Sequence, residues 1–490
     1  MPSLAELFAR YQFQAPNIAV AGVTHDSRRV QPGYVFVAIR GVPLTSLSPH
    51  GLVVSRPALD GHDFIAEALA KGAAAVVGTR ELNLPVPYLR VEDSRVALAD
   101  LSAAFFGHPA SKLSLVGVTG SKGKTTTSVL IHHLLNSAVA PVGLVSTAGL
   151  RIGTKEKFLP GHFTTPEAPE LQHALLEFVE AGCKLAVLEV SSHALALERV
   201  HGLQFQVGVF TNLEAEHLEL HQTMENYLRE KEKLLERSPF SIINRESPYY
   251  QRLASRPHWS FGSGGDWQAK LLEENAQGLL FEVSSPVGGF RANLPLTGKF
   301  NISNALAAMA ASAKMGLGAP ALQSALKNFP GVEGRMQIIQ ALPFRVVVDF
   351  AHTEESLRAA LAALRPTTKG RLVVVVGAAG ERDPGRRTGL GRVAALEADH
   401  AIFTEEDHRT ESLEAILTAM AETAKRTGGS FEVIPDRREA IRHALASAQA
   451  GDTVLLAGKG HERTLERGTA VLPWNEALEA KKVLGELGLS

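Results

Sequence analysis

Short runs of apolar, mostly β-branched residues that do not alternate with polar ones place the strongest constraint on this chain. They include LSLVGVTG (113–120), KLAVLEVSS (184–192), QVGVFTN (206–212), RVVVDFAH (345–352), RLVVVVGAAG (371–380) and DTVLLAGKGH (452–461). A strand with one wetted face alternates. A strand apolar on both faces needs helices above and below it, as in a parallel sheet. The runs end in Gly, Ser, Thr, Asn or His, which gathers polar groups at the carboxyl ends of the strands, where open α/β sheets hold ligands. Helical periodicity fills the intervals, for example at 125–137, 167–181, 302–316, 354–364 and 435–449. The predicted class is α/β.

A chain of 490 residues is too long for one compact core and suits three domains. The pattern changes at GHPASK (107–112) and again at FPGVEG (329–334). The predicted units are a small α/β domain over 1–108, a central parallel-sheet domain over 109–332 and a Rossmann-like domain over 333–490. Residues 262–297 read as a strand-rich excursion within the second unit, and 41–58 as a long loop or short hairpin.

The 50 basic and 51 acidic side chains nearly cancel, so no global field draws the chain to nucleic acid or an anionic membrane. No apolar stretch reaches the roughly 18–20 residues of a membrane-spanning helix. The start, MPSLAELFARYQF, lacks the basic and then apolar pattern of a signal peptide. The one cysteine, Cys183, allows no internal disulfide, fits a reducing compartment and reads as a buried structural thiol. A cytoplasmic monomer is expected, with no nucleic-acid partner and no membrane insertion.

Four local patterns carry chemistry. Gly117-Val-Thr-Gly120-Ser-Lys-Gly123-Lys124-Thr125-Thr126 follows a strand and opens a helix. Its glycines let backbone N–H groups wrap a phosphate, Lys124 supplies surface positive charge, and Thr125 can ligate Mg²⁺. Strict P-loop spacing would put Gly at 118, where Val118 stands. Glu189 closes a buried strand in Glu189-Val-Ser191-Ser192-His193, a poor place for a carboxylate unless it meets a cation; a sheet-edge glutamate facing solvent is the other reading. His217 and His221 are four apart, so one helical face could present both to zinc, or they simply begin a solvated helix. Asn226 to Lys233, with Lys231, would alone be an ordinary charged helix face.

In this order the motifs resemble the Mur ligases, most closely the MurE branch, over almost the whole chain. The likeness rests on His25-Asp26-Ser27-Arg28 and Asp60-Gly61-His62-Asp63 in the first unit. It continues through TGSKGKTTT, Thr164-Thr165-Pro166, EVSSHAL, FTNLEAEHLELH and Gly298-Lys-Phe300-Asn301-Ile-Ser-Asn304. It ends with Gly334-Arg335-Met336, Val348-Asp349-Phe350-Ala351-His352-Thr353, Gly380-Glu381-Arg382-Asp383 and Gly458-Lys459-Gly460-His461-Glu462. A folylpolyglutamate synthetase shares the P-loop, but the first unit and the GKGHE ending favour the MurE branch. A P-loop kinase would leave Glu189, His217, Lys231 and the last unit unexplained, and the intact motifs speak against an inactive binding protein.

The resemblance implies a central ATP-binding domain, a UDP-substrate-binding first domain and an amino-acid-binding last domain. The activity would be ATP-dependent addition of a diamino acid to UDP-N-acetylmuramoyl-L-alanyl-D-glutamate through an acyl phosphate. It implies two Mg²⁺ ions and a CO₂-derived carbamate on Lys231. By motif match, Gly120, Gly123, Lys124, Thr125, Thr126, Asn301, Arg335 and Asp349 hold ATP, while Thr125, Glu189, His217 and Lys231 serve the metals. Lys124, Lys231, His217 and Glu189 are the catalytic set. Ser27, Thr164, Thr165, Ser191 and Arg199 match contacts to the UDP-linked substrate, and Arg382, Asp407, Arg409, Gly458 and Glu462 match the joining amino acid.

Some positions depart from the family pattern. Segment 41–58 is longer than usual, Glu333 and Glu354 replace prolines, and Arg386 replaces lysine. The usual Asp-Asp-Asn-Pro-Arg stretch reads Glu405-Glu406-Asp407-His408-Arg409. Arg409 would suit the distal carboxylate of meso-diaminopimelate. Asp407 in place of Asn, with two further acids, instead favours a distal ammonium and could neutralise Arg409. L-lysine or L-ornithine is therefore expected over meso-diaminopimelate.

Overall fold

The computed structural model describes residues 1–41, 44–47, 53–56, 58–157, 164–275 and 277–489. Three sheets with parallel cores follow one another along the chain. The first has four parallel strands in the order Gly22–Thr24, Tyr34–Val37, Ala75–Gly78 and Tyr88–Arg90. Strands Leu44–Leu47 and Val53–Arg56 pair antiparallel inside the long segment anticipated at 41–58; its residues 42–43, 48–52 and 57 lie outside the described residues.

The central sheet runs Lys155–Lys157, Gly149–Ile152, Val142–Ser146, Leu185–Glu189, Ser114–Thr119, Val207–Phe210, Ser241–Asn244 and His258–Phe261. The first two are an antiparallel edge; the other six are parallel. Its central strands are buried on both faces, which is why their sequences do not alternate. The excursion expected at 262–297 is a three-stranded antiparallel sheet, Gln268–Asn275, Gly278–Ser284 and Phe290–Leu294. The third main sheet runs Gln337–Gln340, Arg345–Asp349, Thr453–Ala457, Leu372–Val376, His400–Phe403 and Phe431–Val433, parallel after its first pair.

The expected helices form, with ends shifted by a few residues: Lys124–Asn136, Ala168–Glu180, Phe300–Lys314, Glu354–Leu364 and Arg437–Ala446. Cys183 is buried in the core beside Phe178 and Ala186, and burial pushes its thiol up. One packing detail positions the site. A Cβ on Gly117 would lie 2.6 Å from Leu234 and 2.8 Å from Phe205, so a larger residue would push the Leu234 side chain of helix Met224–Glu236 away from strand Ser114–Thr119. That helix carries Lys231.

Candidate active site

Strand order creates the site. Ser114–Thr119, which leads into the phosphate-binding loop, lies between Leu185–Glu189 and Val207–Phe210, with Glu189 level with Val118 and Phe210 level with Thr119. Three carboxyl ends therefore meet at one edge. Gly120 sits at φ +146°, and a Cβ there would fall 1.9 Å from Thr211 Oγ1, so the loop turns against its neighbour only as glycine. Asn212 fixes the turn: its Oδ1 accepts the Lys122 N–H at 2.8 Å and its Nδ2 donates to the Lys122 carbonyl at 3.1 Å.

Lys124 opens helix Lys124–Asn136 and donates to the Ser121 carbonyl at 2.8 Å. It is half-buried rather than at the surface. Burial pushes its amine down, Glu189 and Glu216 pull it back, and Arg335 adds to the depression. Thr125 Oγ1 donates to Glu189 Oε1 at 3.0 Å. Glu189 is buried, and Thr147 meets it through both its N–H (2.8 Å) and its hydroxyl (3.1 Å). Among the described residues no cation lies within ion-pair distance of this carboxylate. Lys231 is equally buried: its Nζ donates to the Gly120 carbonyl at 2.6 Å and stands 4.5 Å from the Tyr227 ring centre. Burial, with Lys124 nearby, pushes its amine well down.

The network continues outward. Thr147 Oγ1 lies 3.1 Å from Thr164 Oγ1 and can accept its proton, and Thr165 Oγ1 donates to the Glu189 carbonyl (2.8 Å) and accepts the Ser191 N–H (3.1 Å). Arg199 donates to the Thr165 carbonyl (3.0 Å) and pairs with Glu167 (2.6 Å). Asn301 is buried and takes the Asn304 side-chain N–H at 2.9 Å; Asn304 in turn meets Thr127. His217 does not share a helical face with His221. It precedes helix Leu218–His221 in a left-handed backbone, its ring lies 4.7 Å from that of His193, and buried His221 lies 3.0 Å from Ser192 Oγ. Among the described residues no group of three or more His, Cys, Asp or Glu side chains is arranged around a common metal position. Ser27 stands outside this network: its hydroxyl donates to Glu67 at 2.8 Å.

Arg335 sits over the Phe350 ring at 4.6 Å, and the carboxylate of half-buried Asp349 accepts the Met336 N–H at 2.7 Å. Burial pushes Asp349 up, against the pull of Arg335. In the last domain Asp407 and Arg409 each meet a charged partner, and the two partners differ. Asp407 accepts from the buried Lys459 Nζ at 2.8 Å, and Lys459 also pairs with Glu462 at 2.6 Å. Burial opposes the Lys459 charge, yet Glu462 and Asp407 outweigh it and raise its pKa. Arg409 pairs with Glu466 at 2.7 Å and donates to the Gly380 carbonyl. The expectation that Asp407 or Glu406 neutralises Arg409 is therefore corrected, because the partner, Glu466, comes from the hairpin Thr464–Arg467 with Ala470–Pro473. Glu405 pairs with Arg467 at 2.8 Å. Glu406 remains: it is buried, its Oε2 has no hydrogen-bond partner among the described residues, and it lies against Gly458. Burial pushes it up to about 7, opposed by Lys459 and reinforced by Glu462. Arg382 is exposed nearby.

Thr147, Asn212, Tyr227, Lys459 and Glu466 complete the site without having been singled out by the sequence. Asn212 and Lys459 lie inside quoted motifs; Thr147 and Glu466 carry no local signal.

This geometry agrees with the comparisons. Residues 118–312 match the Mur ligase middle domain, and 334–460 match the Mur ligase glutamate ligase domain. The chain is 48% identical to UDP-N-acetylmuramyl-tripeptide synthetase of Deinococcus radiodurans over 99% of both chains. It is 37% identical to UDP-N-acetylmuramoyl-L-alanyl-D-glutamate–2,6-diaminopimelate ligase of Geobacillus kaustophilus over 96% of each. A solved structure of a UDP-N-acetylmuramoyl-L-alanyl-D-glutamate–2,6-diaminopimelate ligase superposes with a TM-score of 0.67 at 30% identity, covering 100% of this chain and 99% of that one. The chain belongs to the Mur ligase family. Within it, it falls in the MurE branch: it is an ATP-dependent acid–amino-acid ligase of peptidoglycan precursor synthesis. Among the described residues no helix is long and apolar enough to cross a membrane.

Proposed function

We propose that the chain joins L-lysine or L-ornithine, in preference to meso-diaminopimelate, to the D-glutamate of UDP-N-acetylmuramoyl-L-alanyl-D-glutamate through an acyl phosphate. The observation that carries the amino-acid choice is Glu406, a buried carboxylate with an oxygen beside Gly458 that has no hydrogen-bond partner among the described residues. A distal ammonium would satisfy it; a distal carboxylate would meet a like charge at short range. Arg409 does not argue the other way, because Glu466 already neutralises it.

For the chemical steps, Lys124 and Arg335 are placed to offset phosphate charge as the substrate carboxylate takes the γ-phosphoryl group and ADP leaves. The amine then attacks the acyl carbon, the C–O bond breaks with its electron pair leaving on phosphate, and the nitrogen releases a proton to solvent. Thr164, Thr165, Ser191 and Arg199 orient the muramoyl dipeptide, Ser27 belongs to the UDP end, and Asn301 and Asp349 hold the nucleoside. Arg382, Gly458 and Glu462 frame the amino acid. The donor set suits Mg²⁺: buried Glu189 with no ion-pair partner among the described residues, the Thr125 hydroxyl 3.0 Å from it, and Lys231 as a carbamate oxygen donor, with His217 beside Tyr227. Bound there, Mg²⁺ would neutralise clustered phosphate oxygens. The Lys231 carbamate forms when the neutral amine attacks CO₂, making an N–C bond and releasing a proton. The boundaries proposed are 108/109 and 332/333; the first falls between helix Ser94–Phe105 and strand Ser114–Thr119, the second between helix Ala319–Lys327 and strand Gln337–Gln340.

The test is phosphate release from ATP that requires both the UDP-linked dipeptide and a free amino acid, run with L-lysine, L-ornithine and meso-diaminopimelate. A kcat/KM for meso-diaminopimelate above that for both basic amino acids overturns the choice made from Glu406.

A further inference from the structure

In the last domain, strands Thr453–Ala457 and His400–Phe403 are not neighbours; Leu372–Val376 lies between them. Their carboxyl ends nevertheless lead to two residues in contact. A Cβ on Gly458 would fall 2.7 Å from Glu406 Oε2, so a carboxylate lies against bare backbone across the width of a strand. One side chain spans that gap. Arg437, the first residue of helix Arg437–Ala446, is fully buried. Its Nη1 donates to the Glu405 carbonyl at 3.1 Å and its Nη2 to the Ala457 carbonyl at 2.8 Å. These are the carbonyls immediately before Glu406 and Gly458. Its backbone N–H donates to Glu405 Oε1 at 3.1 Å. Glu476 holds the fork in plane, accepting from Nη2 at 2.6 Å and from Nε at 2.9 Å, and is itself fixed by Trp474 Nε1 at 2.7 Å.

We infer that Arg437 is a positioning residue of the amino-acid site, which sets the separation of Glu406 and Gly458 by holding the two carbonyls that precede them; this rests on the amino-acid role proposed for that pocket. A buried ion pair contributes little net stability, and an apolar pair of similar volume would join the same elements as well. An apolar pair cannot set two carbonyls at fixed distances. The planar guanidinium can, and a lysine ammonium, a point charge, cannot hold both carbonyls and Glu476 at once.

The experiment measures KM separately for ATP, UDP-linked dipeptide and the preferred amino acid in full-length wild type, Arg437→Lys and Glu476→Gln, with melting temperatures alongside. Arg437→Lys is expected to raise the amino-acid KM about tenfold or more, since displacement of a binding group by an ångström is costly, and to leave the other two within about twofold. Glu476→Gln keeps the arginine but loosens its anchor, and should give the same split more weakly. It decides the matter if Arg437→Lys does not fold. In a Glu406→Gln background, Arg437→Lys should add little, because both changes act through one carboxylate. Equal rises in all three KM values, a loss confined to kcat, or full additivity with Glu406→Gln overturns the inference. A wild type that turns over no diamino acid sinks the proposed function and this inference with it. A wild type that does, with amino-acid KM unchanged in the folded variants, sinks this inference alone.

Discussion

The edge of the central sheet and the pocket of the last domain treat buried charge in opposite ways. At the central edge, Lys124 and Lys231 are held by backbone carbonyls, and Glu189 by hydroxyls and an amide. At the pocket the charges are paired inside the protein: Glu405 with Arg467, Asp407 and Glu462 with Lys459, Arg409 with Glu466. An edge where Lys124, among the described residues, is held by a carbonyl and not by a carboxylate suits a ligand that brings several negative charges of its own. A pocket whose acids other than Glu406 already have basic partners, Asp407 and Glu462 sharing Lys459, suits a ligand that is nearly neutral and carries one extra cation. The contrast follows what each place must hold: a nucleotide phosphate chain in one, an amino acid in the other.

The largest effect should come from breaking the first half of the contrast. Lys124→Ala is expected to cut ligation by about three orders of magnitude, the scale of removing a charge that stabilises phosphoryl transfer. Its melting temperature should stay close to wild type, because the amine contributes one described hydrogen bond. Near-normal phosphate release by a folded Lys124→Ala protein would show that this edge does not serve the γ-phosphate. Lys231→Ala should lose about two orders of magnitude by the same reasoning and recover part of it in acetate or formate, which supply the missing carboxylate oxygens. No rescue, together with mass analysis finding an unmodified lysine in active wild type, would remove the carbamate from the mechanism.

The two regions also differ in how far the sequence exposes them, for a physical reason. At the central edge the loop binds through its own backbone, so Gly120, Gly123, Lys124 and Thr125 are consecutive or nearly so. Their partners Glu189 and Asn212 end neighbouring strands with a recognisable apolar pattern. In the pocket, EEDHR can be read as a charge pattern, but its neutralising partners Lys459, Glu466 and Arg467 lie more than fifty residues on. Which acid stays unpaired is decided by the docking of the hairpin Thr464–Arg467 with Ala470–Pro473, which no local spacing encodes. The fold class and the order of units were readable because burial on both faces of a strand is written in consecutive residues. Thr147 was not, since a threonine that braces Glu189 across the sheet resembles any other threonine.

Glu406 supplies a smaller and more specific test. Glu406→Gln should lower kcat/KM for L-lysine or L-ornithine about thirtyfold, the low end of the range for truncating one member of a desolvated charge pair, and affect meso-diaminopimelate less. Its pKa, raised by burial to about 7, gives a direction in pH. Below that value the carboxyl is protonated and offers no charge; above it the carboxylate is formed. KM for the basic amino acid should therefore fall as pH rises through about 7, and Glu406→Gln should flatten that change. Identical pH profiles for the two proteins would mean that Glu406 does not meet the ligand.

Asp407→Asn should have the smallest effect, and this sharpens the comparison most. Read from the motif alone, Asp407 is the acid that replaces an asparagine and should dominate the choice of amino acid. In the folded pocket its Oδ1 accepts from both Lys459 Nζ and the Glu466 N–H, so its charge is already neutralised. An amide oxygen keeps an acceptor for those donors, and Lys459 retains Glu462. The change in the ratio of kcat/KM between the basic amino acid and meso-diaminopimelate should be within about fivefold, the effect of perturbing a neighbour of the binding charge rather than the charge itself. The two substitutions should therefore rank Glu406→Gln well above Asp407→Asn. The reverse ranking would mean that Asp407 leaves Lys459 to face the ligand, and that charge at this pocket is not balanced before the amino acid arrives.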